Sequence, residues 1–158
     1  ISSASFMQSK ISGKMIYRFG DAGRITARGE FGATYVDDIE DMPASLRFFS
    51  GGDNSVRGYD YESLGHTDNN GEVIGGTNLI TASIEYEHPV IDDNWWAALF
   101  VDAGNAFDFD NNNADMKIGY GAGVRWFSPF GRFKLDLAVP EEDGFDDWKL
   151  HIAFGTDL

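Results

Sequence analysis

Cysteine is absent from the 158 residues, which removes disulfide staples, thiolate nucleophiles and thiolate metal sites together. Proline is scarce, at 4, and no run of about 18 uninterrupted apolar residues occurs, so no segment reads as a membrane-crossing helix. Positive charge is short as well: 12 Lys and Arg stand against 26 Asp and Glu, a formal net charge of −14. That balance excludes a nucleic-acid surface, which needs clustered cations against phosphates. His66, His88 and His151 lack metal-ligand spacing, and no serine sits in a Gly-x-Ser-x-Gly turn. Gly51-Gly52 is not followed by the helix and Lys-Ser/Thr of a phosphate loop. Asp108 to Asn113 has the acids of a calcium loop but not its Gly or terminal Glu, and reads as solvated loop. Ile1 to Ser5 has neither the basic region nor the apolar core of a secretory leader. No enzyme chemistry, cofactor or metal is expected.

What is present is glycine, 19 of it, and aromatics at 15%, a composition suited to a turn-rich β protein. Period-two alternation runs through most of the chain. It spans Phe6 to Phe19, Arg24 to Val36, Asn78 to His88, Trp95 to Gly104, Met116 to Phe127, Arg132 to Val139, and Trp148 to Leu158. These predict about seven antiparallel strands, longer than the usual soluble strand of ~5–6 residues and suited to a tilted membrane crossing of ~9–11. Short turns at Gly20-Gly23, Pro89-Asn94 and Ser128-Gly131 alternate with long connections at 37–77, 105–115 and 141–147. The acids concentrate in the long ones: Asp37, Asp38, Glu40 and Asp41; Asp108, Asp110 and Asp115; Glu141, Glu142, Asp143, Asp146 and Asp147. They read as solvated loop charge.

The two faces of these strands differ. One is apolar, with Tyr17, Phe19, Tyr35, Tyr86, Trp95, Trp126 and Trp148 near strand ends, as an interfacial girdle requires. The other carries Lys10, Lys14, Arg24, Arg28, Glu30, Glu85, Asp102, Lys117, Arg125, Arg132, Lys134, Asp136 and Lys149. A soluble barrel would turn the apolar face inward; strand length and girdle favour the reverse. The fold class is therefore an all-β, antiparallel transmembrane barrel with a polar lumen. Seven strands leave two bare edges, which lipid does not tolerate. The chain is expected to be part of a larger barrel, or to close with a partner chain.

The connection at 37–77, about 40 residues long, is too long to be a plain linker. It ends in a polar, Gly-rich tip from Gly65 to Gly76, expected to be mobile, and contains Leu46-Arg47-Phe48-Phe49-Ser50-Gly51-Gly52-Asp53-Asn54-Ser55-Val56-Arg57-Gly58-Tyr59. Phe48, Phe49, Val56 and Tyr59 want burial, so this loop should fold inward. Arg57 would then sit in a partly dry site and need acidic partners. Glu85 and Asp102 have lumenal parity on the next two strands.

The run Gly51-Gly52-Asp53 with Val56-Arg57-Gly58-Tyr59, then Phe100-Val101-Asp102-Ala103-Gly104, then Gly119 to Pro129, resembles the BamA/TamA outer-membrane protein assembly superfamily. The likeness is nearest to its TamA branch, the outer-membrane subunit of the translocation and assembly module. The resemblance implies the C-terminal part of a barrel of about sixteen strands, of bacterial surface antigen type, in the outer membrane. It also implies a loop at 37–77 locked by Arg57, Gly58 and Tyr59 against Glu85 and Asp102, with Phe100 packing around it. The partners implied are outer-membrane lipids, unfolded outer-membrane protein substrates such as autotransporters, and an inner-membrane-anchored TamB-like protein. The last strand, with Trp148, Leu150, Ile152, Phe154 and Leu158, resembles the sorting signal of outer-membrane barrels; many of these end in Phe, and Leu158 departs from that. Two other readings stay open: a barrel fused to an upstream patatin-like hydrolase, and a passive porin.

Overall fold

The computed structural model describes residues 5–108 and 115–155. Leu158, and residues 109–113 of the calcium-like segment, lie outside them. Seven strands form one sheet: β1 (Met7–Arg18), β2 (Arg24–Tyr35), β3 (Asn78–Ile91), β4 (Trp95–Phe107), β5 (Lys117–Ser128), β6 (Gly131–Pro140) and β7 (Lys149–Gly155). They lie in chain order, each antiparallel to the next. Among the described residues β1 and β7 sit at opposite ends of the sheet, each with one unpaired edge.

Burial alternates with the sequence pattern, but with polarity inverted relative to a soluble protein. On β3 the Ile84 side chain is 62% exposed while its neighbour Glu85 is 6% exposed. Leu99, Val101, Leu135 and Ile152 also face outward, whereas Asp102, Arg125 and Asp136 are buried. Water would reject such an outer surface. Hydrocarbon accepts it, because every backbone group between paired strands is already hydrogen-bonded. At the short-turn end an aromatic row crosses four strands: Trp95 stacks on Trp126 at 5.6 Å, Trp126 on Phe133 at 5.2 Å, and Phe133 meets Phe154 at 4.4 Å. Tyr17 and Phe19 meet edge to face at 4.7 Å on the same rim. Rings at that level belong to the lipid–water interface.

Three boundaries depart from the sequence reading. Pro89 does not open a turn; β3 continues through it to Ile91, with a register shift between Pro89 and Ile91. The irregularity leaves room for a residue with no N–H, which a regular ladder would not. The reversal is confined to 92–94. The connection expected from 105 starts later: β4 runs through Gly104 and Asn105 to Phe107. A Cβ at Gly104 would lie 2.7 Å from the Ile80 carbonyl oxygen, so this glycine serves close strand approach, not a bend. Trp148 precedes the last strand rather than opening it, after a 3-10 turn at Gly144–Asp147.

The 37–77 connection folds against the concave, polar face of the sheet. Phe48 pairs with Gly76 and Ser50 with Leu64 as isolated bridges, and Phe48 packs with Leu79 and Ala106 in a small apolar cluster. Arg47 holds the loop's two arms together, donating to the carbonyls of Met42 at 2.9 Å and Ile74 at 3.1 Å. The tip has local structure of its own: Thr67 bridges Val73, and the Asp68 carboxylate accepts the N–H groups of Asn70 and Glu72 at 2.8 and 2.9 Å. Those donors lower the Asp68 pKa by stabilising its charged form.

Candidate functional site

The loop's deepest point is Val56-Arg57-Gly58, and all three residues are buried. Gly51, Gly52 and Gly58 have φ of +102°, +94° and +98°, a region that L side chains rarely enter. At Gly58 a side chain would also meet the Val139 and Pro140 backbone at 3.0 Å. The β5 wall is equally tailored. A Cβ at Gly119 would lie 1.8 Å from the Arg57 carbonyl oxygen, and one at Gly121 would lie 2.6 Å from the Phe100 ring. Gly119 thus makes room for the loop backbone, Gly121 for the Phe100 ring beneath Arg57, and Gly123 for the Asp136 carboxylate and the Arg125 guanidinium.

Arg57 is 2% exposed. Its Nε donates to Asp102 Oδ2 at 2.7 Å and its Nη2 to Asp102 Oδ1 at 2.9 Å, a bidentate fork. The Arg57 backbone N–H donates to the same carboxylate at 3.1 Å. Nη1 reaches Glu85 at 2.7 Å and Asp136 at 2.9 Å. The guanidinium lies over the Phe100 ring, its Cζ 3.4 Å from the centroid, in the geometry of a cation–π contact. Burial alone would lower the Arg57 pKa. The hydrogen bond and charge of Asp102, with the charge of Glu85, outweigh it and hold the pKa above the ordinary arginine range.

Asp102 and Glu85, the acids paired with Arg57 in the sequence reading, lie beside it together with Phe100. Gly58 sits at the contact with β6, and Tyr59 turns its hydroxyl toward the Ile118 carbonyl at 3.4 Å. Burial and the nearby Glu142 push the Tyr59 hydroxyl up to about 12. Of the terminal-strand residues, Leu150, Ile152 and Phe154 face outward on β7, and Trp148 is exposed beside it. They are remote in role from the Arg57 cluster.

Sequence reasoning missed the rest of the cluster. Asp136 and Arg125 carried the right parity, but were not tied to the loop. Arg125 Nη2 donates to Glu85 at 2.9 Å and to Asp136 at 3.1 Å. It reaches Asp136 across Gly123, where a Cβ would fall 1.8 Å from the Asp136 carboxylate. Glu87, fully buried, is shared by Arg24, Arg125 and Arg132. The cluster therefore balances four guanidiniums (Arg24, Arg57, Arg125 and Arg132) against four carboxylates (Glu85, Glu87, Asp102 and Asp136). The signal available beforehand was alternation of sign among same-parity residues. Which pairs met depended on register and on the missing side chain at Gly123. Such an arrangement holds a loop and offers neither nucleophile nor open coordination position.

Comparison with known proteins matches residues 1–157 to the Omp85 superfamily domain. The chain is 30% identical over 120 residues to the outer membrane protein assembly factor BamA of Nitratidesulfovibrio vulgaris (strain Hildenborough), covering 73% of this chain and 15% of that protein. Its fold is similar to the crystal structure of BamA from Haemophilus ducreyi lacking POTRA domains 1–3, with a TM-score of 0.72 at 20% identity, over 94% of this chain and 34% of the other. The chain thus spans a minor part of each protein it resembles. A polar lumen, an apolar outer face and this match together make it a wall of an outer-membrane β-barrel, and the chain belongs to the Omp85 superfamily.

Proposed function

We propose that this chain is the C-terminal part of an outer-membrane barrel of the TamA type. In this reading it helps insert or secrete outer-membrane β-proteins, autotransporters among them. The 37–77 loop acts as a lumenal lock, and substrate segments pair with a sheet edge. The observation that carries this reading is Arg57, buried at the loop's deepest point on three carboxylates. A passive pore gains nothing from fixing a loop through a desolvated arginine. An assembly barrel, whose wall must hold while an edge exchanges partners, does. Pairing of this kind would use the backbone donors and acceptors that an open strand edge presents. The TamA branch rests on the resemblance of the Gly51-Gly52-Asp53 and Val56-Arg57-Gly58-Tyr59 segments, and with it comes an inner-membrane-anchored TamB-like partner.

The test is substrate insertion by the intact parent barrel in liposomes. Arg57→Ala should slow insertion of an autotransporter β-domain while substrate still binds; an unchanged rate removes the lock from the mechanism. Co-purification with an inner-membrane-anchored protein tests the branch. A Gly-x-Ser-x-Gly domain upstream in the full-length protein would favour the patatin-fused reading instead.

A further inference from the structure

The loop's contacts concentrate on β3 to β6, and a second group of contacts ties it to β7. His151, on the inward face of β7, stands between two points of the loop. Its Nε2 accepts the Gly58 N–H at 3.2 Å, and its Nδ1 is hydrogen-bonded to an Asp53 carboxylate oxygen. The side chain of His151 is 11% exposed. Two residues before it on the same face, Lys149 Nζ reaches the Asp60 carboxylate at 3.3 Å.

The hydrogen-bonding inventory fixes the state of this ring. A backbone N–H only donates and a carboxylate only accepts, so neutral imidazole satisfies both partners only as the Nδ1–H tautomer. A protonated ring has two donors and no acceptor. Its Nε2–H would then face the Gly58 N–H, donor against donor, while the contact with Asp53 gains charge. Gly58 cannot yield toward the wall, because it is already pressed on Val139 and Pro140.

We propose that His151 is a positioning residue: a proton-sensitive latch between the loop and the terminal strand. Neutral, it holds Gly58, and with it Arg57, to β7; protonated, it releases Gly58 and keeps only Asp53. An imidazole is the side chain that can exist in both states in water near neutrality, which is what such a latch needs. The surrounding charges come from every neighbouring element: Asp53 and Arg57 of the loop, Lys134 and Asp136 of β6, and Arg28 of β2 line the same cleft. Asp53 and Arg57 reach this cleft only with the loop seated, so seating changes the charges that face the ring. The proposal rests on the loop being the locked element of an insertion barrel.

The experiment uses the intact parent barrel in lipid nanodiscs. Nitrogen-15 histidine spectra should show the Nδ1–H tautomer of His151 at alkaline pH. Hydrogen exchange at Gly58, corrected for intrinsic rates, should lose about tenfold protection as the ring titrates, the scale of one hydrogen bond. His151→Gln keeps an acceptor for Gly58 and should hold its protection at all pH values; His151→Phe should lose it at all of them. Asp53→Asn keeps the ring and should move the pH at which protection falls, which covers the case of His151 variants that fail to fold. An Nε2–H tautomer, protection that ignores the titration, or the wild-type profile retained in His151→Gln or Asp53→Asn would overturn the latch. Arg57→Ala with unchanged insertion would overturn the functional reading instead, and the two failures are separable.

Discussion

The middle of this sheet and its two edges are built on different terms. On β3 to β6 inward residues are buried under the loop and joined into the Arg57 cluster, while outward ones face lipid. On β1, whose outer edge has no partner among the described residues, every residue is exposed, and Gln8 donates to the loop's Leu46 carbonyl at 2.8 Å. The described part of β7 is half-buried on its inner face. The desolvated charge pairs and the glycines pressed against the loop thus lie in the middle of the sheet, where the loop is seated.

The strongest blow to the wall is the loss of one carboxylate. Asp102 is fully buried and accepts three hydrogen bonds from Arg57. Asp102→Ala should cost about 3–5 kcal/mol, because Arg57 is left buried with too few partners. Asp102→Asn should cost less, since its amide oxygen still accepts. Denaturant unfolding of the intact barrel checks both, and a double-mutant cycle with Arg57→Ala should be strongly non-additive.

Next in size is charge on the lipid face. Leu135 lies mid-strand on β6 and points outward, so Leu135→Lys should destabilise the barrel by about 2–4 kcal/mol in a bilayer. Equal stability in lipid would mean that the faces are inverted.

Both predictions use what alternation alone discloses, and the limits of that disclosure are physical. Parity assigns a side chain to lumen or lipid because the pleat has period two. Asp102 and Glu85 could therefore be named with Arg57, since each stands on the inner face just past the loop. Asp136 could not: its approach depends on β5–β6 register and on the gap at Gly123. His151 entered the sequence reading only as a histidine without metal-ligand spacing, because its partners Asp53 and Gly58 lie about a hundred residues away in the chain, beyond any local pattern. Pro89 misled because a lone proline signals a turn more often than a tolerated irregularity.

A smaller effect should come from filling the space at Gly119. Gly119→Ala places a methyl where the Arg57 carbonyl oxygen lies at 1.8 Å, so either the loop lifts or β5 bows. Overpacking of this kind should cost about 1–3 kcal/mol, and it should raise proteolysis within 37–77 before it lowers the global midpoint. An identical protease pattern would mean that the loop does not rest on this glycine.

The smallest effect belongs to the edge and is the sharpest check on the comparison. Lys10 of β1 pairs with Glu30 of β2 at 3.0 Å, their side chains 53% and 29% exposed. Solvent already satisfies both charges, and ordering two long side chains offsets much of the Coulomb gain, so the pair is worth about 0–1 kcal/mol. Lys10→Ala should therefore leave the unfolding midpoint of the intact barrel nearly unchanged. The 3.0 Å contact itself resembles those made by Arg57, so distance alone would predict similar losses. Desolvation separates them: the Arg57 partners have no water to return to. If Lys10→Ala cost as much as Asp102→Ala, the Lys10–Glu30 pair would be desolvated in the intact barrel, and the contrast between the buried cluster and this exposed pair would fail.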